Sequence, residues 1–330
     1  MRTRPLGRTG LAVSSLTFGC GNVGGLLIRG DEGEQREAIA RALDAGVSYF
    51  DTAPLYGDGA SEETLGRLLP QSEHRAVVGT KVRLTPEALA GGTAAAVREA
   101  LDASLRRLRR DSVELYQLHN TIDDAGDRLD RGHALSVDRI LNDVLPALEG
   151  ARRAGKVRHI GFTALGEAGA IERLAAAGGF ETAQVPYSLL NPSAGREAGA
   201  GESARLLRGD GLGTIGIRLL AGGALGSPTR HAIASPTVAV VGQGRGTARD
   251  YAGDVTAAAG FHRLVEAGAA ASLPALAIRY GLSAEGLDTA AVGFSSLAQV
   301  RDALDAVAAG PLEAAVLDEI HRIQAAFADA

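Results

Sequence analysis

The stretch Glu34–Asp51, EQREAIARALDAGVSYFD, holds the repeating unit of this chain. Ala38, Ile39, Ala42 and Leu43 share one helical face, and Gly46 supplies a stop after it. Val47–Asp51 is then a strand-length apolar run that ends on a carboxylate. Outward from this unit the same alternation recurs about eight times. The other strand-like runs are Leu16–Cys20, Ala76–Lys81, Val113–His119, Val157–Thr163, Thr182–Tyr187, Thr214–Leu220 and Thr289–Phe294. Each is too short for a helix and is bounded by glycine, proline or charge.

The intervening segments carry helix signals. Ser61 reads as an N-cap before Glu62 and Glu63, and Thr85-Pro86-Glu87 as a cap followed by proline at the first helical position. Val97, Leu101, Leu105 and Leu108 form one buried stripe. Ile140, Leu141, Val144, Leu145 and Leu148 form another, which Pro146 should kink or divide. Ala170–Ala177, Ser203–Leu207 and Ser296–Val307 follow later strands, and a final helix carries Val316, Ile320, Ile323 and Phe327. The basic run Arg106, Arg107, Arg109 and Arg110 reads as a solvated helix face.

Regular strand–helix alternation predicts a parallel sheet covered by helices, and eight units predict closure into a single (β/α)8 TIM barrel. Arg4–Leu6 and Leu11–Ser14 flank a Gly7–Gly10 turn, a hairpin expected to plug one barrel end. No linker or composition break divides the 330 residues, so one domain over 1–330 is expected.

Composition narrows the function classes. At 45% hydrophobic the chain can bury a large core, and a net charge of −5 disfavours a general nucleic-acid binder. No run approaches a membrane span, and Met1–Gly10 lacks the apolar core of a secretory signal. The one cysteine, Cys20, suits a reducing, cytoplasmic location. Lysine occurs only at Lys81 and Lys156, so each has a better than usual claim to a specific role.

Gly19-Cys20-Gly21-Asn22-Val23-Gly24 matches the G-x-G-x-x-G pattern of dinucleotide-binding loops. That motif needs a helix to open at the glycines, so that its first amides meet the pyrophosphate. Here the helical pattern begins only near Glu34. The stretch is expected instead to be a loop beside whatever binds at the barrel mouth.

Active sites of such barrels lie at the C-terminal ends of the strands. Asp51, Lys81, His119 and Thr163 end successive strands, Tyr56 follows Asp51 by one short loop, and Gln184 lies within the sixth strand. The set suits carbonyl reduction. A tyrosine gives a proton to the carbonyl oxygen, a neighbouring ammonium lowers its pKa, a carboxylate holds the lysine, and a histidine orients the carbonyl. The loop Thr121–Leu135, with Asp123, Asp124, Asp127, Asp130 and His133, would discourage anionic substrates. No metal-ligand spacing is present on these strands.

The motifs resemble those of the aldo-keto reductase superfamily over nearly the whole chain. The stretches concerned are Tyr49-Phe50-Asp51-Thr52-Ala53-Pro54-Leu55-Tyr56-Gly57, Gly79-Thr80-Lys81, Leu115-Tyr116-Gln117-Leu118-His119 and Gly155–Phe162. The resemblance implies an NAD(P)-dependent oxidoreductase, with Asp51, Tyr56, Lys81 and His119 catalytic. It reduces an aldehyde or ketone, or oxidises a sugar or alcohol in reverse. Gly21 and Asn22 fall in the loop after the first barrel strand. Thr163 and Gln184 correspond to the nicotinamide-carboxamide set, although Ala164 replaces its usual amide. Ile217 or Arg218 stands where an aromatic often stacks. Leu220-Ala221-Gly222-Gly223 resembles the pyrophosphate loop, and Gly293–Ser296 with Gln299 resembles the adenosine site. Gly293 and Gln299 replace the cations that many members use for a 2′-phosphate, so NADP(H) is expected with NAD(H) as the alternative. A non-catalytic nucleotide-binding regulatory subunit is the competing reading.

Overall fold

A computed structural model describes residues 1–21, 23–69, 76–129, 133–192, 211–226 and 251–326. Its strands are β1 (Thr3–Pro5), β2 (Ala12–Ser14), β3 (Leu16–Gly19), β4 (Tyr49–Asp51), β5 (Val77–Val82), β6 (Val113–Leu118), β7 (Thr121–Asp123), β8 (Ala134–Ser136), β9 (Val157–Thr163), β10 (Thr182–Pro186), β11 (Gly213–Ile217) and β12 (Thr289–Gly293). Eight of them close a barrel in the order β3-β4-β5-β6-β9-β10-β11-β12, each pair parallel. The predicted α/β barrel is therefore present. The barrel strands lie within two residues of the runs expected from the sequence, except that β11 stops at Ile217, three residues before the expected end; β7 and most of β8 fall in the stretch Thr121–Leu135 that was expected to be a loop.

The antiparallel β1–β2 hairpin closes the N-terminal end of this barrel. Leu6 and Val13 are fully buried against Tyr49, Val77, Leu115 and Ile215, side chains that point inward from four barrel strands. Asp288 ties the plug down by accepting from the Gly7 amide at 2.9 Å and the Thr214 amide at 3.0 Å. With the bottom sealed by apolar side chains, solvent and ligands reach the interior from the other end.

The helices form where amphipathic faces meet caps. Asp31 caps Glu32–Asp44, Thr85 caps Pro86–Leu89, and Ser296 caps Leu297–Ala308. The interruption expected at Pro146 is real. A π-helical turn, Ile140–Val144, precedes the helix Leu145–Arg153, with the proline in its first turn. The chain's closing helix runs Ala314–Ala325. Ser203–Leu207 and Phe327 lie outside the described residues.

Two local expectations are corrected. Ser61 is not an N-cap, because the helix Ala60–Leu68 begins on Gly59. The Ser61 hydroxyl instead faces inward, 2.8 Å from Thr52 Oγ1 and 3.0 Å from the Cys20 carbonyl. The basic run is only partly a solvated face. Arg107 bonds the buried Glu62 at 2.7 Å, and Arg110 pairs with Glu114 at 3.0 Å with both side chains buried. Arg109 adopts φ 54° at the helix end, which turns the chain and directs Arg110 inward.

Glycine settles the G-x-G-x-x-G question. A Cβ on Gly24 would lie 2.3 Å from backbone atoms of Phe294, and one on Gly19 would lie 2.9 Å from the Val292 carbonyl oxygen. These glycines let the first loop press against β12. The next helix is only Leu26–Arg29, and its first amide bonds the Phe294 carbonyl. No dinucleotide-type helix opens there.

Gly66 illustrates the same point within a helix. A Cβ there would fall 2.4 Å from the Arg107 carbonyl oxygen. Helix propensity favours Gly66→Ala by about 1 kcal/mol, but overpacking against rigid backbone costs about 1–3 kcal/mol. The variant is expected to melt below the wild type in thermal denaturation. A higher melting temperature would show that the two helices separate freely.

Candidate active site

β4, β5 and β6 each turn alternate side chains into the barrel, and this brings Asp51, Lys81 and Gln117 together. Lys81 is fully buried. Its Nζ lies 2.5 Å from Asp51 Oδ2, 2.9 Å from the Thr52 carbonyl oxygen and 3.2 Å from Tyr56 Oη. Tyr56 reaches this point because the loop after β4 turns through Gly57 at φ 62°. Its ring stands edge-on to His119 with centroids 6.2 Å apart. The sequence-predicted four therefore converge on the C-terminal mouth.

Asp51 is the hub. Its Oδ1 accepts from Gln184 Nε2 at 2.7 Å, Gln117 Nε2 at 3.3 Å and Tyr49 Oη at 3.4 Å. Such multiple donation satisfies a buried carboxylate and fixes its orientation. Tyr49 and Gln117 were missed in the sequence, yet a signal existed. Each lies two residues before a recognised site residue on its strand, so each shares that residue's face.

Burial sets the protonation states. For Lys81, burial pushes the pKa down, but Asp51 and then Tyr56 raise it by more, so the ammonium is retained. For Tyr56, burial pushes the pKa up and the Lys81 charge pulls it down, with a net rise above the ordinary 10.0. This corrects the expectation that lysine would lower the tyrosine outright, because the surroundings cost the phenolate more than one ammonium returns. Burial, then the charges of Lys81, Arg83 and Arg218, hold His119 well below the usual histidine range. The imidazole is therefore neutral at pH 7, and its buried Nδ1 has no partner. Burial also raises the Cys20 thiol, which leaves it an inert core group.

The expected cofactor contacts separate into two regions. Around the quartet, Gly21 packs its backbone against the Tyr56 ring, where a Cβ would lie 3.6 Å from the ring. Thr163 Oγ1 donates to Gln184 Oε1 at a long 3.5 Å, which leaves that oxygen room for another donor. Arg218 sits at φ 60°, and its charge is felt by both Tyr56 and His119. Beyond it Ala221, Gly222 and Gly223 also have positive φ (48°, 65° and 105°), and Leu220 opens that turn. Such turns present backbone N–H groups to anions. The chain accepts left-handed strain at two non-glycine residues here.

The second region is the start of the helix Leu297–Ala308. Ser296 Oγ accepts from the Gln299 amide at 3.3 Å, and Gln299 Oε1 accepts from the Ser295 amide at 2.8 Å. Both side chains already cap the helix. Arg301 is engaged by Glu37 at 2.9 Å. Asn22 lies outside the described residues.

The acidic loop does not carry the free negative charge expected of it. Asp123 pairs with Arg128, Asp124 with Arg173 at 2.9 Å and Asp127 with Arg139 at 3.0 Å. Asp130 lies outside the described residues, and His133 stands at φ 56° with its Nδ1 unpartnered. An electrostatic bar to anionic substrates does not follow from acids whose charge is already matched.

The sequence profile described as the Aldo/keto reductase family matches residues 15–325. L-galactose dehydrogenase of Arabidopsis thaliana is 34% identical over 167 residues, 49% of this chain and 48% of that protein. The match thus spans about half of that relative's length. The uncharacterized oxidoreductase YrpG of Bacillus subtilis is 32% identical over 242 residues, 67% of each chain. Among solved structures, the holo form of an aldo-keto reductase from Bacillus halodurans superposes with a TM-score of 0.70 at 26% identity. That superposition covers 98% of this chain and 96% of the other. Among the described residues no helix is long and apolar enough to cross a membrane.

Proposed function

The chain belongs to the aldo/keto reductase family, and on that premise we propose that it works as one domain over 1–330. In this reading it interconverts a small carbonyl compound and its alcohol, with NADP(H) or NAD(H) as cofactor and Tyr56 as proton donor. The observation that carries the reading is the buried Lys81 ammonium, which bridges Asp51 Oδ2 and Tyr56 Oη at 2.5 and 3.2 Å. A lysine so placed stabilises a phenolate the moment it forms, and the carboxylate prevents the lysine from leaving.

The residues around the mouth fit a nicotinamide nucleotide. Gln184 Oε1 and Thr163 would face its carboxamide. The left-handed turn with Leu220 and Gly222 would take the pyrophosphate, and Ser296 and Gln299 would meet the adenosine end. When bound, the nicotinamide gives or takes the hydride. Tyr56 then supplies a proton at Oη to the carbonyl oxygen, and its raised pKa keeps that proton in place at neutral pH. Neutral His119 retains one N–H to donate to the same oxygen and fix its angle. Lys81 moves no proton; it changes how readily Oη gives one up.

The test is a fluorescence titration with NADPH and NADH, followed by a panel of aldehydes and ketones. Binding without turnover on any carbonyl or alcohol would favour a regulatory subunit instead.

Cofactor choice follows from charge. Gly293 and Gln299 offer no cation, and Arg301 is held by Glu37, which also binds Arg41 at 2.8 Å. Each charge-assisted bond missing from a 2′-phosphate is worth about 1.5–3 kcal/mol. The preference for NADPH over NADH is therefore expected to stay below about a thousandfold. Glu37→Gln should release Arg301 and raise that preference about two- to fivefold, as suits one exposed pair. Dissociation constants for both nucleotides check both statements.

A further inference from the structure

We propose that Arg83 and Arg218 form an anion-binding subsite beside His119, so that the carbonyl substrate carries a carboxylate or phosphate group. The inference rests on the reading of this mouth as a carbonyl site and names the class of compound it takes.

Arg83 follows β5 directly, two residues beyond Lys81, and so falls on the inward side of the same extended segment. Its Nε is buried and has no partner. Burial lowers the pKa of both guanidiniums, the sign of positive charge held out of water without a matching acid. No carboxylate among the described residues pairs with either. Among the described residues the acids of the neighbouring loop are matched elsewhere: Asp123, Asp124 and Asp127 to Arg128, Arg173 and Arg139. Glu87, whose charge acts on His133, is exposed and does not act on Arg83.

The two arginines reach the site from opposite arcs of the barrel, Arg83 from the end of β5 and Arg218 from the end of β11. Both ends lie on the rim that carries His119, and both charges act on its imidazole. Arg218 holds a left-handed backbone to do so, a conformation an ordinary residue adopts only when its surroundings enforce it. The Arg83 charge also acts on His133. Two guanidiniums on the rim that carries His119, with no carboxylate partner among the described residues, suit an oxyanion attached a short carbon chain away from the reacting carbonyl. A neutral aldehyde forgoes the charge-assisted part of those bonds.

The test compares matched pairs with cofactor present: 4-oxobutanoate against butanal for the carboxylate arm, and glyceraldehyde 3-phosphate against glyceraldehyde for the phosphate arm. The wild type should favour the anion in at least one pair. Arg83→Met should cut the anion-to-neutral ratio of kcat/KM by about tenfold to a hundredfold, mainly through KM. Arg83→Lys should recover part of the loss, which a mere folding defect would not. In parallel, succinate and inorganic phosphate are titrated calorimetrically into wild type and Arg83→Met with oxidised cofactor.

If neutral aldehydes turn over with no anionic preference, the subsite is overturned and the carbonyl reading stands. If no aldehyde turns over but succinate or phosphate binding depends on Arg83, the subsite stands and the carbonyl reading falls. If neither turnover nor such binding is seen, both fall. Should Arg218→Met weaken nicotinamide-nucleotide binding and leave the anion-to-neutral ratio alone, Arg218 belongs to the cofactor and the paired subsite is wrong.

Discussion

Tyr56→Phe is expected to lower kcat for carbonyl reduction by about 10²- to 10⁴-fold while cofactor binding persists. The substitution keeps the ring that packs on Gly21 and stands edge-on to His119, and deletes only the hydroxyl 3.2 Å from Lys81 Nζ. General acid catalysis contributes a factor of that order. His119 cannot take over readily. Its pKa is pushed far below the usual range, so at neutral pH it has an N–H to share but no imidazolium proton to give. Because the Tyr56 pKa lies above 10.0, the reduction rate should be flat through neutral pH and fall only in strong alkali, while the oxidation rate rises over the same range. Single-turnover rates with a good carbonyl substrate, alongside nucleotide dissociation constants, decide the matter. Near-normal turnover in the variant would remove Tyr56 as the proton donor.

Lys81→Met should strike stability and chemistry together. Lys81 is fully buried and Asp51 nearly so, at 0% and 6% side-chain exposure. Removing one member of such a pair strands the other, at a cost of about 3–5 kcal/mol. Pairing the change with Asp51→Asn should recover much of this, because the stranded carboxylate is then gone. The sign of the pH dependence is fixed by the direction of the shift. The folded-state pKa of Lys81 is raised above its ordinary 10.5, so its contribution is fully present below that value and is lost as pH climbs through the folded-state value. The stability gap between wild type and Lys81→Met should thus be constant through neutral pH and narrow only in strong alkali. In the surviving folded fraction the Tyr56 pKa should move higher still, and the alkaline limb of oxidation with it. Denaturant melts across pH and pH–rate profiles test each half separately.

Much of this was legible in the primary structure, for a local reason. Short apolar runs ending on Asp51, Lys81 and His119 specify strands by their own length and boundaries, and parallel strands with intervening helices leave few ways to pack. A barrel then puts every strand's C-terminal end on one rim, so residues far apart in sequence become a site by topology alone. Thr85, Pro86 and Pro146 announced their roles through backbone chemistry that needs no tertiary partner. Ser61 misled because a cap signal competes with an inward hydrogen bond to Thr52, and that partner is visible only when the helix Ala60–Leu68 has docked.

What the sequence by itself determined is the order of elements, the barrel they close and the side chains that meet at its mouth, because periodicity and strand ends are local properties. What only the tertiary structure decided is the charge balance at that mouth. The acids after β6 looked like a negative rim, and folding pairs Asp123, Asp127 and Asp124 with Arg128, Arg139 and Arg173, contributed by their own loop and by two separate helices. Arg107 and Arg110 looked solvated and are spent on Glu62 and Glu114. Arg83 carried no signal in the sequence and Arg218 was expected at the nicotinamide, and among the described residues neither pairs with a carboxylate. Net charge and charge spacing are written in the chain. Which charges cancel depends on three-dimensional distance and on how much water remains around them, since Coulomb energy and desolvation both change steeply with burial.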